Sequence, residues 1–157
     1  MKVRTICALA ALGAVFTAGV RADDVVAPKI AAIHAQLYHE ATGKLSDDIL
    51  VPDAPGMWNT IISENASNFT FVTVEVQGKN VPQGKVRVEI VARNEQRAVR
   101  GKSVSEVSIY DQKTTFFAPL LLRDTGCEEL VISARLIGKG VANTATVKKT
   151  IPFKCGE

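Results

Sequence analysis

Residues 123–155 read RDTGCEELVISARLIGKGVANTATVKKTIPFKC and contain two apolar runs between two cysteines. The runs are Leu130–Leu136 and Ala145–Phe153, and Gly138-Lys139-Gly140 separates them. Short apolar runs on either side of a glycine-rich turn are typical of paired β-strands. This stretch therefore predicts a β-hairpin or an adjacent strand pair, with its ends tied to the body of a β-sandwich.

Residues 1–22 have the pattern of a secretory signal peptide. Basic residues precede the apolar stretch Ile6–Val20, and Ala22 ends a small-residue cleavage site. The apolar stretch is shorter than a membrane-spanning helix needs, and its flanks are wrong for one. We expect a periplasmic or secreted protein in which residues 23–157 form a single domain, with no integral membrane segment after signal removal.

Removal of the signal peptide would take Cys7 with it and leave Cys127 and Cys155. An even pair of cysteines in an exported chain predicts a structural disulfide. On the chain-entropy model, such a bridge would stabilise the fold by roughly 3–4 kcal/mol. A redox pair would place the cysteines two residues apart, so we favour the structural bridge over a redox or metal pair.

The predicted mature chain is neutral. The full sequence has 19 Lys and Arg residues against 16 Asp and Glu residues, and the signal peptide contains three of the bases and none of the acids. A neutral chain gives no general reason to expect nucleic acid or an anionic membrane as a partner. We therefore expect another protein as the partner, and the sequence leaves the oligomeric state open.

Alternating apolar residues predict further strands. Phe69–Gln77 and Lys85–Ala92 each place valines on one face, and the turn residues Gly78–Gly84 between them predict that the two pair as a hairpin. Val104–Tyr110 and Thr114–Leu122 follow as two more strands around a turn.

Two shorter features refine this pattern. Pro119 predicts an edge position or a bulge, because proline cannot donate a hydrogen bond within a sheet. Residues 30–41 fit a helical spacing and a strand alternation equally well, and we favour an extended first strand because the rest of the chain is strand-like.

Six or seven short strands with regular turn signals predict an all-β, antiparallel two-sheet sandwich. Over most of the predicted mature chain, this arrangement resembles immunoglobulin-like and fibronectin-type-III-like domains of exported bacterial proteins. The resemblance implies an immunoglobulin-like β-sandwich of about seven strands. Both cysteines lie late in the sequence and follow Trp58, which departs from the antibody pattern of a cross-sheet disulfide.

The sequence contains no convincing catalytic or metal site. His34 and His39 are the two histidines, and a spacing of five puts them on different faces of either a helix or a strand. No Gly-x-Ser-x-Gly motif is present to place a nucleophile. Asp124-Thr125-Gly126 matches the aspartic-protease triplet, but that chemistry needs two such aspartates, so we interpret it as a turn. We expect no enzyme activity, cofactor or metal, with a small hydrolase or metal-binding protein using His34 or His39 as the alternative.

Charge segregation is the feature that we favour for function. Residues 23–64 contain seven acids and two bases, whereas residues 79–102 contain seven bases and two acids. We expect Arg93–Lys102 to be an exposed connection, with Arg93, Arg97, Arg100 and Lys102 as the candidate interaction surface. The predicted function is an exported, non-catalytic binding or protein-interaction module, and a structural subunit of a surface assembly is a further alternative.

Adjacent aromatic residues give a second hint of a binding surface. Phe116 and Phe117 are neighbours on a predicted strand, so their side chains should point to opposite faces. We therefore expect one of the two to lie outside the core.

Overall fold

The described part of the chain contains eight β-strands and no helix. The computed structural model describes residues 25–52, 67–110, 112–125, 128–139, 141, 145–151 and 153. The strands are β1 Val26–His39, β2 Lys44–Leu45, β3 Phe69–Lys79, β4 Val81–Asn94, β5 Val99–Ile109, β6 Thr115–Arg123, β7 Leu130–Gly138 and β8 Val147–Ile151.

The strands form two antiparallel four-stranded sheets. Sheet 1 has the order β2-β1-β3-β6, and sheet 2 has the order β5-β4-β7-β8. The prediction of an all-β, antiparallel two-sheet sandwich is confirmed, and the arrangement is consistent with an immunoglobulin-like fold. The described residues include no helix of the length and apolarity needed to cross a membrane.

The core lies between the inner faces of the two sheets. Val72, Val74 and Val76 of β3 are fully buried, and Val88 and Ile90 of β4 face them from sheet 2. The alternating residues of both strands point outward, which is the period-2 pattern of a half-buried strand. The same alternation that predicts the strands from sequence therefore also identifies their buried faces.

The first described segment is a strand, so the extended alternative for residues 30–41 is confirmed over β1. β1 pairs with β3 along most of its length. It ends at a turn in which Gly43 has a φ of 66° and its amide donates to His39 O at 2.8 Å. Glycine suits this position because it adopts positive φ without steric cost.

The predicted hairpin between β3 and β4 is wrong. β3 continues to Lys79 and β4 begins at Val81, so Asn80 alone separates them, with a φ of 53°. The chain passes from sheet 1 to sheet 2 at this corner, and β3 and β4 do not pair. The turn residues that follow lie within β4, where the pairing with β5 shifts register between Val81 and Val86. They mark a bulge instead of a hairpin turn.

The other predicted strands are also present in the structure. β5 and β6 lie in different sheets on either side of a turn in which Lys113 N donates to Tyr110 O. Pro119 lies on β6, which is the edge strand of sheet 1, as predicted. β7 and β8 pair antiparallel, with Leu130 opposite Ile151, as the hairpin or adjacent pair predicted from residues 123–155.

The exposed connection predicted over Arg93–Lys102 is shorter than expected. β4 includes Arg93, and β5 includes Arg100 and Lys102, so only residues 95–98 connect the two strands. Asn94 is the buried residue of this stretch, and Val99, Arg100 and Lys102 of β5 are exposed. The stretch therefore lacks the alternation of buried apolar residues by which a strand is predicted from sequence. The predicted signal peptide, the disulfide between Cys127 and Cys155, and Trp58 lie outside the described residues.

Candidate binding surface

Sheet 2 carries five basic side chains on its outer face. Cross-strand partners share a face of a sheet, so the register places them together: Glu89 of β4 lies opposite Arg135 of β7, and Ser133 of β7 lies opposite Lys148 of β8. We define this surface as the basic face. Its bases are Arg87, Arg93, Lys102, Arg135 and Lys148.

Two carboxylates share the basic face with these five bases. Glu89 lies 3.4 Å from Lys102 Nζ and 3.1 Å from Arg135 Nη2, so it bridges β5 and β7 from the central strand β4. The hydrogen bond from Arg135, followed by that from Lys102, holds the pKa of Glu89 below its ordinary value. The second carboxylate, Glu106, lies opposite Arg87 in the register. The bases therefore exceed the acids on this face.

A groove of about 260 Å³ runs through the basic face. Arg93 and Arg135 line it together with Glu89, Ser133 and Thr146. The Ser133 hydroxyl donates to Val91 O at 3.1 Å. Guanidinium groups and hydroxyls are the donors that carboxylates accept from, and a paired guanidinium gives the stronger, charge-assisted bonds. Arg135 is paired with Glu89, so Arg93 is the guanidinium of this groove that forms no ion pair with a described residue.

The structure separates the four predicted interaction residues. Arg93 and Lys102 lie on the basic face. Arg97 lies in the β4–β5 turn with a φ of 63°, and its carbonyl accepts from Arg93 Nη1 at 3.2 Å. Arg100 points to the β6–β7 connection, where Nη2 donates to Asp124 O at 2.8 Å and Nε lies 3.8 Å from Glu128 Oε2. Arg100 is therefore engaged within the fold.

Sequence reasoning missed Arg135 and Lys148, because both lie outside the basic stretch 79–102. They reach the basic face through the pairing of β4 with β7 and of β7 with β8. The alternation within each strand would have indicated their outward direction, but the register across strands is needed to place them beside Arg93.

The described acids of the N-terminal stretch belong to sheet 1. Glu40, Asp47 and Asp48 lie on or beside β1 and β2, whereas the basic face lies on sheet 2. The described acids of the acidic stretch and the basic face therefore lie on different sheets, and sheet 1 also carries Lys29, Lys44, Lys79 and Arg123.

The histidines lie apart, as their spacing predicts. His34 Nδ1 lies 2.7 Å from Asp48 Oδ2, and its Nε2 lies 3.5 Å from Glu75 Oε2. His39 lies at the end of β1, opposite Lys44 of β2. Over the described ranges, no group of three or more histidine, cysteine, aspartate or glutamate side chains is arranged to hold a metal ion.

Asp124 and Thr125 follow the end of β6. Asp124 has a φ of 50°, and its amide donates to Asn68 O at 2.9 Å. Thr125 is buried and shares a hydrogen bond with Thr70 of β3. These contacts fit the turn interpretation of this pair, while Gly126 lies outside the described residues.

Sheet 1 exposes an aromatic residue at its edge, as predicted from Phe116 and Phe117. Phe116 packs against the core, whereas Phe117 is 57% exposed on the outer face of β6. Leu121, four residues further along β6, is also exposed on the same face.

No protein-family model matches the chain, and no curated protein matches it either. Solved structures match in part. The chain is similar to a β-glucuronidase of Bifidobacterium dentium complexed with coumarin-3-O-glucuronide, at 12% identity and a TM-score of 0.44, over 81% of this chain and 18% of that chain.

The chain is also similar to a glycosyl hydrolase family 2 member from Bacteroides cellulosilyticus, at 14% identity and a TM-score of 0.40, over 53% of this chain and 12% of that chain. A third match is a β-glucuronidase from glycoside hydrolase family 2, at 14% identity and a TM-score of 0.40, over 57% of this chain and 10% of that chain. The chain spans less than a fifth of each of these structures. At such identities and TM-scores, the likeness bears on neither activity nor ligand.

Proposed function

We propose that this chain is an exported, non-catalytic module that binds an acidic protein through the basic face. The observation that carries the proposal is the excess of bases over acids on the outer face of sheet 2, around a groove lined by Arg93 and Arg135. A surface of one charge sign attracts a partner of the opposite sign and orients it during encounter.

The free bases of the basic face make it available to such a partner. Lys102 and Arg135 are occupied by Glu89, whereas Arg87 and Lys148 form no ion pair with any residue that the structure describes. Because they need not break an internal ion pair, these two bases can contact the carboxylates of a partner.

The surroundings of His34 support a non-catalytic role. A histidine acting as a general base needs one ring nitrogen free to face the substrate. Both ring nitrogens of His34 face carboxylates of the chain itself, Asp48 and Glu75.

Binding of polyglutamate tests the proposal, with the peptide as a probe for an acidic polypeptide. We expect its addition to shift the ¹⁵N–¹H signals of β4, β7 and β8, and the affinity to fall as salt is added. The double variant Arg93→Glu, Lys148→Glu should weaken this binding about tenfold or more, because two attractive contacts become repulsive.

The matched control is Lys44→Glu, Lys113→Glu, which reverses two exposed lysines away from the basic face. This variant has the same net charge as the first, so equal loss of binding in both would point to net charge alone and contradict the proposal. An absence of binding by the unmodified chain, or signal shifts confined to sheet 1, would contradict it as well.

A further inference from the structure

The segment that follows β2 closes the free edge of β1. Ser46 N donates to Leu37 O and Ile49 N donates to Ala35 O, both at 2.8 Å. The β1 amides beside these carbonyls donate to side chains: Leu37 N to Ser46 Oγ at 2.9 Å, and Ala35 N to Asp48 Oδ1 at 3.0 Å. Side-chain oxygens therefore take the places that the carbonyls of a further strand would occupy.

We define residues 46–50 as the edge cap. Asp48 is its central contact, because Oδ1 also accepts from Leu50 N at 3.0 Å and Oδ2 lies 2.7 Å from His34 Nδ1. The other ring nitrogen of His34 lies 3.5 Å from Glu75 Oε2 on β3. His34 thus lies between a carboxylate of the edge cap and a carboxylate of the sheet.

Only the imidazolium form of His34 can donate to both carboxylates, because only that form has a proton on each ring nitrogen. A neutral His34 that donates to Asp48 from Nδ1 has no proton on Nε2. Nε2 and the facing Glu75 Oε2 are then both acceptors, so no hydrogen bond can form between them. The hydrogen bond with Asp48 raises the pKa of His34 above its ordinary value; partial burial opposes this effect, and Glu75 adds to it.

Besides His34, uncharged donors contact the two carboxylates: the amides of Ala35 and Leu50 donate to Asp48. Gln77 Nε2 donates to Glu75 Oε1 at 2.9 Å and fixes its orientation. The register partner of His34 on β3 is Thr73, and Glu75 lies opposite Phe117 of β6, so Glu75 is the charge that β3 places beside His34 and the register positions opposite both residues are uncharged. On β1 itself, Lys29 lies opposite Gln77, and in the edge cap the further charged group is the exposed Asp47.

We propose that His34 is a pH-sensitive latch that holds the edge cap on β1. At pH values where His34 is protonated, it bridges Asp48 and Glu75. As the pH rises and His34 loses its proton, the contact with Glu75 becomes unfavourable and the charge on the Asp48 pair is lost. The edge cap then opens more often, which exposes the amides of Ala35 and Leu37 at the edge of the sheet.

Asp48, the carboxylate of the edge cap, stays ionised through the same pH range. Partial burial favours the neutral acid, but the hydrogen bonds from the Ala35 and Leu50 amides and from His34 together hold the pKa of Asp48 below its ordinary value of 3.8. The opening at rising pH is therefore due to His34 and not to Asp48.

Amide hydrogen exchange followed by NMR tests the latch. Exchange rates at Ala35 and Leu50 are measured from about pH 6 to about pH 8.5, a range that includes the ordinary histidine pKa of about 6.5 and extends above it, and are divided by the intrinsic rates. We expect protection at both amides to fall about two- to five-fold as His34 loses its proton, the range of a partly exposed ion pair. The amide of Asp124 donates to Asn68 O beside β6, at the opposite edge of sheet 1 from β2, and it should keep its protection.

Two variants complete the experiment. His34→Gln keeps a donor of similar length without a titrating group, and it should abolish the pH dependence at Ala35 and Leu50. His39→Gln, at the other histidine of the same strand, should leave it intact. The proposal is wrong if the pH dependence persists in His34→Gln or is missing from the unmodified chain. If His34→Gln fails to fold, a ring-proton titration of the unmodified chain decides, since a midpoint for His34 at or below about 6.5 would overturn the latch.

Discussion

Gly101 on β5 packs directly against Leu122 on β6, at the side of the sandwich where the two sheets approach each other. A Cβ atom at position 101 would collide with Cδ2 of Leu122 and would lie 3.4 Å from Cδ1 of Leu120. β5 and β6 are edge strands of different sheets and form no ladder with each other. The absence of a side chain at Gly101 is what allows this close approach.

Gly101→Ala should destabilise the fold by about 1–3 kcal/mol, because the added methyl group overpacks a closed part of the core. Elsewhere in a strand the same change is mildly stabilising. Urea unfolding measures the difference. In a Leu122→Ala background the added methyl group has room, so Gly101→Ala should cost less there, and an equal cost in both backgrounds would contradict the packing described.

The neighbours Phe116 and Phe117 should respond very differently to substitution by threonine, which suits a strand as well as phenylalanine does. Phe116→Thr removes apolar contacts with the core and should cost about 2–4 kcal/mol. Phe117→Thr changes a mostly exposed side chain and should stay within about 0.5 kcal/mol. Thermal or urea unfolding of the two variants compares them directly. Similar losses of stability would mean that both rings are core residues.

Glu89 should titrate at a higher pH when Arg135 is replaced. Because its pKa is lowered in the folded state, its favourable contribution is present at neutral pH and is lost as the pH falls through the folded-state pKa. Arg135→Gln removes the largest cause of this shift, so the pKa of Glu89 should move back toward its ordinary value of 4.5. The side-chain carboxyl ¹³C signal follows the titration. Lys148→Gln, on the same face but without contact to Glu89, is the control and should leave the midpoint unchanged.

Native mass spectrometry of the mature protein should show a chain that begins at Asp23 and is lighter by two hydrogen atoms than the fully reduced chain. The first result reports cleavage after Ala22, and the second reports a bridge between Cys127 and Cys155. The same spectrum gives the number of subunits and any bound metal. Free thiols would contradict the disulfide, and a regular oligomer would favour a structural subunit over a binding module.

The strands were predictable from the sequence because burial on one face repeats every second residue. Val72, Val74 and Val76 on β3 identify both an element and its buried face. They do not identify the partner strands of β3. The turn residues Gly78–Gly84 suggested β4, whereas β3 pairs with β1 and β6. A hairpin and a corner between sheets use the same turn residues, so the sequence could not distinguish the single-residue corner at Asn80 from a hairpin loop.

The candidate surfaces were predictable only in part, because the sequence does not show which strands pair. Arg93 and Lys102 were found as members of a basic stretch, but Arg135 reaches the basic face through strand pairing. His34 was identified as an isolated histidine. Its partners Asp48 and Glu75 follow 14 and 41 residues later, and no motif with a fixed spacing connects them.

The corner at Asn80 has a consequence for how the chain folds. β3 and β4 follow each other directly, yet each pairs with a strand far away in sequence: position 71 pairs with 121, and position 90 pairs with 134. The pairing of β4 with β5, the next strand, is local. The distant pairings give a high relative contact order, and all-β domains of this kind fold in milliseconds to seconds. Sheet 1 cannot be completed in the order of synthesis, because β6 arrives only after β4 and β5 of the other sheet.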